Sequence, residues 1–160
     1  MCVALAVTAC TSFGQTDTEV RVASMECGDL LPEALAAEIF SDPSEDFVRV
    51  EAKEPGAVSP LVDEMVRGGI ACGSNGDAST GESVVFVGAL AMDADLWKTT
   101  QADFAADGHD ATDQLGIPGW VSVPKPSDDP IATSGFAWTD GVLYYATNPL
   151  VFSLMPAFAS

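Results

Sequence analysis

His109 is the only histidine in a chain of 160 residues, so any Ser/His/Asp or Cys/His arrangement would have to use it as the general base. It stands in Asp107-Gly108-His109-Asp110-Ala111-Thr112-Asp113, just past a helical pattern, where an exposed turn is expected. The sequence holds no Gly-x-Ser-x-Gly elbow, phosphate loop or dinucleotide fingerprint. Asp107, Asp110 and Asp113 offer oxygen ligands of the kind Ca²⁺ takes, but their spacing departs from the helix-loop-helix calcium motif and lacks its closing glutamate. Carboxylates number 24, and two of them at the right separation could run glycoside hydrolysis, a separation that only the fold sets. Trp97, Trp120 and Trp138, with Tyr144 and Tyr145, either line a ligand pocket or fill the core between helix and sheet; the core is the simpler expectation. These patterns call for no cofactor and no metal.

The cysteines point to a place rather than to a reaction. Residues 1–10, Met-Cys-Val-Ala-Leu-Ala-Val-Thr-Ala-Cys, are apolar or small and carry no charged side chain. A bilayer takes roughly 20 residues to span, so this stretch reads as the apolar region and cleavage site of a secretory signal. Its ending, Val7-Thr8-Ala9-Cys10, resembles a bacterial lipobox, in which cleavage before the cysteine exposes it for diacylglyceryl modification. The first cation is Arg21; a positive n-region is therefore expected upstream of Met1. An ordinary N-terminal strand is the competing reading of residues 1–10.

If Cys2 leaves with the signal and Cys10 carries lipid, Cys27 and Cys72 remain, an even number suited to a disulfide in an oxidising compartment. Two buried free thiols in a cytosolic domain are the alternative. A bridge between them would contribute roughly 4 kcal/mol in the chain-entropy model. No Cys-x-x-Cys or Cys/His spacing suits zinc.

Charge narrows the partners. Twenty-four acidic against six basic side chains give a net charge of −18. Six scattered cations cannot form the basic stripe that displaces counterions from phosphates, which excludes DNA and RNA. Anionic headgroups would repel the same surface, so a membrane attachment must be covalent. Otherwise the acidity reads as a solvated surface that keeps the protein soluble.

Among the elements that must position these groups, residues 11–25 are polar and lack an apolar face. They read as a flexible tether spanning on the order of 20 Å. Folded structure is expected from residue 26. Pro32, with Leu31, Leu35 and Ile39 at every fourth position, predicts a short amphipathic helix. Phe47 to Glu51 alternates as a strand. Ser59-Pro60 supplies a cap and a first-turn proline for a second helix with Leu61, Val62, Met65 and Val66 on one face, ending at Gly68.

Ser83 to Leu90 is a near-continuous apolar run and predicts a strand buried on both faces. Asp93 or Asp95 can cap the next helix, whose Leu96, Trp97, Thr100 and Phe104 share a face and whose end Gly108 closes. Asp140-Gly141 between apolar runs marks a two-residue hairpin, with Trp138 facing Leu143 and Phe136 facing Tyr145. Leu150 to Phe158 is expected to dock as a last element.

Cys27-x-Asp-Leu-Leu-Pro, a helix, and a second helix running into Gly68-Gly69-Ile70-Ala71-Cys72 resemble an actinobacterial family of cell-envelope lipoproteins of unknown function. The likeness covers roughly residues 7–90, and the lipobox at Cys10 fits it. The resemblance implies that Cys27 and Cys72 pair across the two helices. Where that family often carries an aromatic residue two positions after the second cysteine, this chain has Ser74.

The expected organisation is a partial lipoprotein signal at 1–10, a polar tether at 11–25 and a single two-layer α+β domain at 26–160, mainly antiparallel sheet with helices packed on it. The expected function is a lipoprotein on the extracytoplasmic face of the bacterial cell membrane, anchored through Cys10. Its domain would bind an envelope protein or a small apolar ligand without catalysis. A carboxylate-dependent hydrolase of envelope glycans is the alternative.

Overall fold

Two left-handed residues, Asp140 at φ 51° and Gly141 at φ 81°, reverse the chain in the way a two-residue hairpin loop requires. In the computed structural model, which describes residues 16–39, 47–51, 59–74, 85–109, 111–112, 117, 119–124, 133–147 and 149–159, this turn joins β6 (Thr133–Thr139) to β7 (Val142–Ala146). The register is the expected one, Phe136 opposite Tyr145 and Trp138 opposite Leu143.

The hairpin lies near the centre of a larger sheet. β7 pairs with β3 (Phe86–Ala91), β3 with β2 (Ile70–Ser74), and β2 with β1 (Phe47–Arg49). On the other side β6 pairs with β5 (Trp120–Pro124) and β5 with β4 (Ala111–Thr112). The seven strands run β1-β2-β3-β7-β6-β5-β4, each antiparallel to its neighbour. With helices α1 (Asp17–Ala23), α2 (Cys27–Leu30), α3 (Glu33–Ile39), α4 (Pro60–Gly68), α5 (Ala94–Ala106) and α6 (Pro149–Phe152), the chain forms a single α+β domain.

Alternation along the strands divides the core in two. Ile70, Cys72, Val87, Ala89, Ala137, Val142, Tyr144 and Ala146 point to one side, where they meet Val22, Leu30, Leu31, Ala36, Val151, Phe152 and Met155. Ala71, Phe86, Phe136, Leu143 and Tyr145 point to the other, against Val62, Met65 and Trp97. Helices therefore cover both faces, one layer more than the sequence predicted. The physical reason lies in the strands: β3 and β7 are apolar at consecutive positions, and a face left open would expose them. Close approaches on both faces are met by glycine. A Cβ at Gly88 would stand 2.8 Å from Met65 Sδ, and one at Gly135 would run into the Trp120 indole.

Caps fix the helix starts. Ser59 Oγ accepts from Leu61 N–H at 3.3 Å, and Asp93 Oδ1 accepts from Leu96 N–H at 2.8 Å. On α5, Trp97 is buried and Phe104 half-buried, whereas Leu96 is exposed, contrary to expectation. Trp97 and Phe104 are seven apart and share the stripe that meets the sheet, and Leu96 sits a residue off it. The last element docks as expected, with Val151, Phe152 and Met155 buried.

The tether needs correction. Residues 17–23, expected as flexible chain, form α1, and its Val22 is 1 % exposed. A capping box and one buried valine hold a segment that looks merely polar in sequence. Residues 1–15, including Cys2 and Cys10, lie outside the described residues.

Candidate functional site

The helix that sequence reading missed borders a recess in the described surface. Thr16 Oγ1 accepts from the Glu19 N–H at 3.2 Å, and Glu19 Oε2 accepts from the Thr16 N–H at 2.6 Å, a reciprocal box that satisfies two helix-end donors. Val22 then fixes the helix to the core. Arg21 Nη2 donates to the Asp140 carbonyl at 2.7 Å, and Thr18 Oγ1 lies 3.3 Å from where a Cβ on Gly141 would stand. So α1 lies across the end of the sheet at which the hairpin turns and β3 finishes.

Between α1, α4 and the end of β3 is a recess of about 380 Å³ lined by Glu19, Glu64, Arg67, Gly68, Leu90 and Ala91. Its charges are mixed. Arg67 reaches Asp63 one helical turn away at 3.7 Å, with its own side chain 60 % exposed; such a pair is worth a few tenths of a kcal/mol and leaves the guanidinium largely hydrated. The Glu19 carboxylate is engaged with its own helix end. The depression is shallow and open and combines two carboxylates and a guanidinium with the apolar Leu90 and Ala91, whereas enclosure of a substrate needs a deeper, drier cleft.

Cys27 and Cys72 form the disulfide, S–S 2.08 Å with Cα atoms 5.8 Å apart. It ties the start of α2 to β2. Cys72 is fully buried and Cys27 half-buried. His109 follows α5, half-buried, with its backbone N–H donating to the Phe104 carbonyl at 2.8 Å. Asp107 forms the C-cap of α5, while Asp110 and Asp113 lie outside the described residues. Among the described residues no group of three or more His, Cys, Asp or Glu could hold a metal ion.

Among the described residues, the aromatic side chains serve the core. Trp120 packs edge-on to Phe152 at 4.7 Å between centroids, and Phe136 stacks on Phe104 at 5.3 Å. Trp97, Tyr144 and Tyr145 are buried. Half-buried Trp138 donates its Nε1–H to the Met92 carbonyl at 2.7 Å. Burial raises the pKa of the Tyr144 hydroxyl; Arg21 pulls it down and Asp140 pushes it up. Burial likewise raises Tyr145, outweighing the lowering effect of the nearby Ser134 side chain.

One signal in the sequence could have found α1: Thr16-x-x-Glu19 followed by Val20 and Val22 is a capping box leading into apolar residues. No signal of comparable strength marks the recess, because Glu19, Glu64 and Leu90 meet only through tertiary packing. No family model matches the chain, and searches of curated proteins and of solved structures found no match. Among the described residues no helix is long and apolar enough to cross a membrane.

Proposed function

We propose that the chain is an extracytoplasmic lipoprotein of a bacterial cell membrane, held through acylated Cys10, and that its domain acts by binding. The observation that carries the reading is the Cys27 to Cys72 disulfide, because such bridges persist in oxidising compartments and not in a reducing cytosol. Export gives the apolar run ending in Val7-Thr8-Ala9-Cys10 a purpose, and an acidic surface leaves a covalent anchor as the route to the bilayer. Likeness to the actinobacterial envelope lipoproteins, on the motif around each cysteine, belongs to the same proposal. Binding is supported by the use of the aromatics as core and by the open, mixed-charge recess at the α1 end. A shallow, open recess suits the surface of an envelope protein better than a small apolar ligand, which needs enclosure.

Expression of the full gene in a bacterium, followed by fractionation, tests the anchor. Wild-type protein should sediment with membranes and Cys10→Ser should be lost from them. Retention of the Cys10→Ser protein would refute it. The purified domain should leave cell-wall oligosaccharides intact; turnover abolished by Glu64→Gln in a folded protein would establish the hydrolase instead.

A further inference from the structure

Disulfide exchange is directional when only one of two bridged sulfurs can be reached. A thiolate attacks along the S–S axis from outside, bonds to the near sulfur and expels the far one as a thiolate. Which sulfur is near in this domain follows from where the chain places its two cysteines. Cys72 stands mid-strand in β2, paired with Arg49 of β1 on one side and with Val87 of β3 on the other. It is 0 % exposed and shares a buried cluster with Leu30, Ile70 and Val87. In-line attack on it would have to pass through that apolar packing.

Cys27 is placed differently. It opens α2, in the helical layer over the sheet, and is half-buried between exposed Glu26 and exposed Gly28 and Asp29. Among the described residues nothing stands within 4 Å of where a Cβ on Gly28 would be, so the surface beside Cys27 is open. Approach from solvent therefore ends on the sulfur of Cys27.

Charge favours the same direction. Glu26 and Asp29 flank Cys27, whereas Arg49 stands opposite Cys72, its guanidinium donating to the Gly69 carbonyl at 3.0 Å. Negative charge gathering on a departing sulfur is better tolerated beside an arginine than beside two carboxylates, and the better-stabilised thiolate leaves faster.

We propose that Cys27 is a thiol-exchange site of the folded protein, the sulfur on which a low-molecular-weight thiol becomes covalently bound. The thiol loses its proton and its sulfur bonds to Cys27 Sγ. The bond between the two cysteines breaks, and its electron pair leaves with Cys72 Sγ, which takes up the proton. The products are a mixed disulfide on Cys27 and a Cys72 thiol within the core. The proposal rests on the bridge and does not depend on acylation of Cys10.

The test uses the full chain with Cys2→Ser and Cys10→Ser, so that only Cys27 and Cys72 can exchange. 2-Mercaptoethanol acts briefly on the folded protein, exchange is stopped with acid, and the adduct is located by peptide mass spectrometry. Cys27 should carry at least about tenfold more adduct than Cys72, and the rate of opening should rise in proportion to thiol concentration. In urea, with the packing gone, the two sulfurs should share the adduct to within about threefold. Adduct spread evenly or mainly on Cys72 in the folded protein would overturn the proposal. So would the same preference in urea, or a rate that stops rising with thiol, as exchange through prior unfolding requires. Single-cysteine variants give a second measurement. Added Cys72→Ala leaves Cys27 as a thiol, which should react with dithiodipyridine at least about a hundredfold faster than Cys72 does in the Cys27→Ala protein. Equal rates in variants that circular dichroism shows to be folded would likewise refute it.

Discussion

Arg21 Nη2 donates to the backbone carbonyl of Asp140 at 2.7 Å across 119 residues of sequence. The bond couples the first helix to the turn of the central hairpin. It explains why a polar segment is structured: a charged donor meets a carbonyl at a left-handed position, while Val22 on the adjoining turn enters the core.

Helix α1 should therefore count toward global stability. Val22→Ala removes two buried methyl groups and should cost about 2 kcal/mol. Arg21→Ala should cost about 1 kcal/mol, the usual net value of an accessible hydrogen bond. Urea unfolding would show both as lowered midpoints. Wild-type midpoints in both would mean that α1 frays from the domain.

The disulfide joins residues 45 apart in sequence and should stabilise by roughly 4 kcal/mol. Reduction, verified by thiol labelling under denaturing conditions, should lower Tm by about 8–16 °C for a domain of this size. An unchanged Tm in fully reduced protein would contradict the importance of the bridge.

Because helices cover both faces of the sheet, truncations on either side of the hairpin should hurt alike. Phe136 and Tyr144 belong to opposite halves of the core, and each Ala substitution should cost on the order of 3–5 kcal/mol. A small loss for Tyr144→Ala beside a large one for Phe136→Ala would show that the α1 to α3 layer contributes little.

Alkaline pH offers a separate test. Burial lifts the Tyr144 and Tyr145 hydroxyls above their ordinary value of 10.0. The folded state then keeps protons that the unfolded chain releases, so the contribution is complete below about pH 10 and is lost as pH rises through the folded values. Urea midpoints should fall from pH 9 to pH 11, and less steeply in a Tyr144→Phe, Tyr145→Phe double variant. Since the chain has only two tyrosines, tyrosinate absorbance should appear together with unfolding. Parallel slopes in wild type and double variant would contradict it.

Much of this architecture is legible locally. Asp140-Gly141 reports its own turn because only left-handed residues fit it, and Ser59-Pro60 reports a helix start through the cap it makes. The third layer and the recess are not legible in that way. Which face of β3 meets Val22 and which meets Met65 is decided by packing between segments far apart in sequence. Polarity also misled: Asp17, Thr18, Glu19 and Arg21 hide one valine whose burial outweighs them. Cys10 rests on motif alone, since it lies outside the described residues.

The intact mass of the mature protein extracted from bacterial membranes tests the central claim most directly. The account predicts a chain that begins at Cys10, carries a diacylglyceryl group on that residue, and is two hydrogens lighter for the bond between Cys27 and Cys72. A chain with unmodified Cys10, or one whose Cys27 and Cys72 are both free thiols, would contradict it.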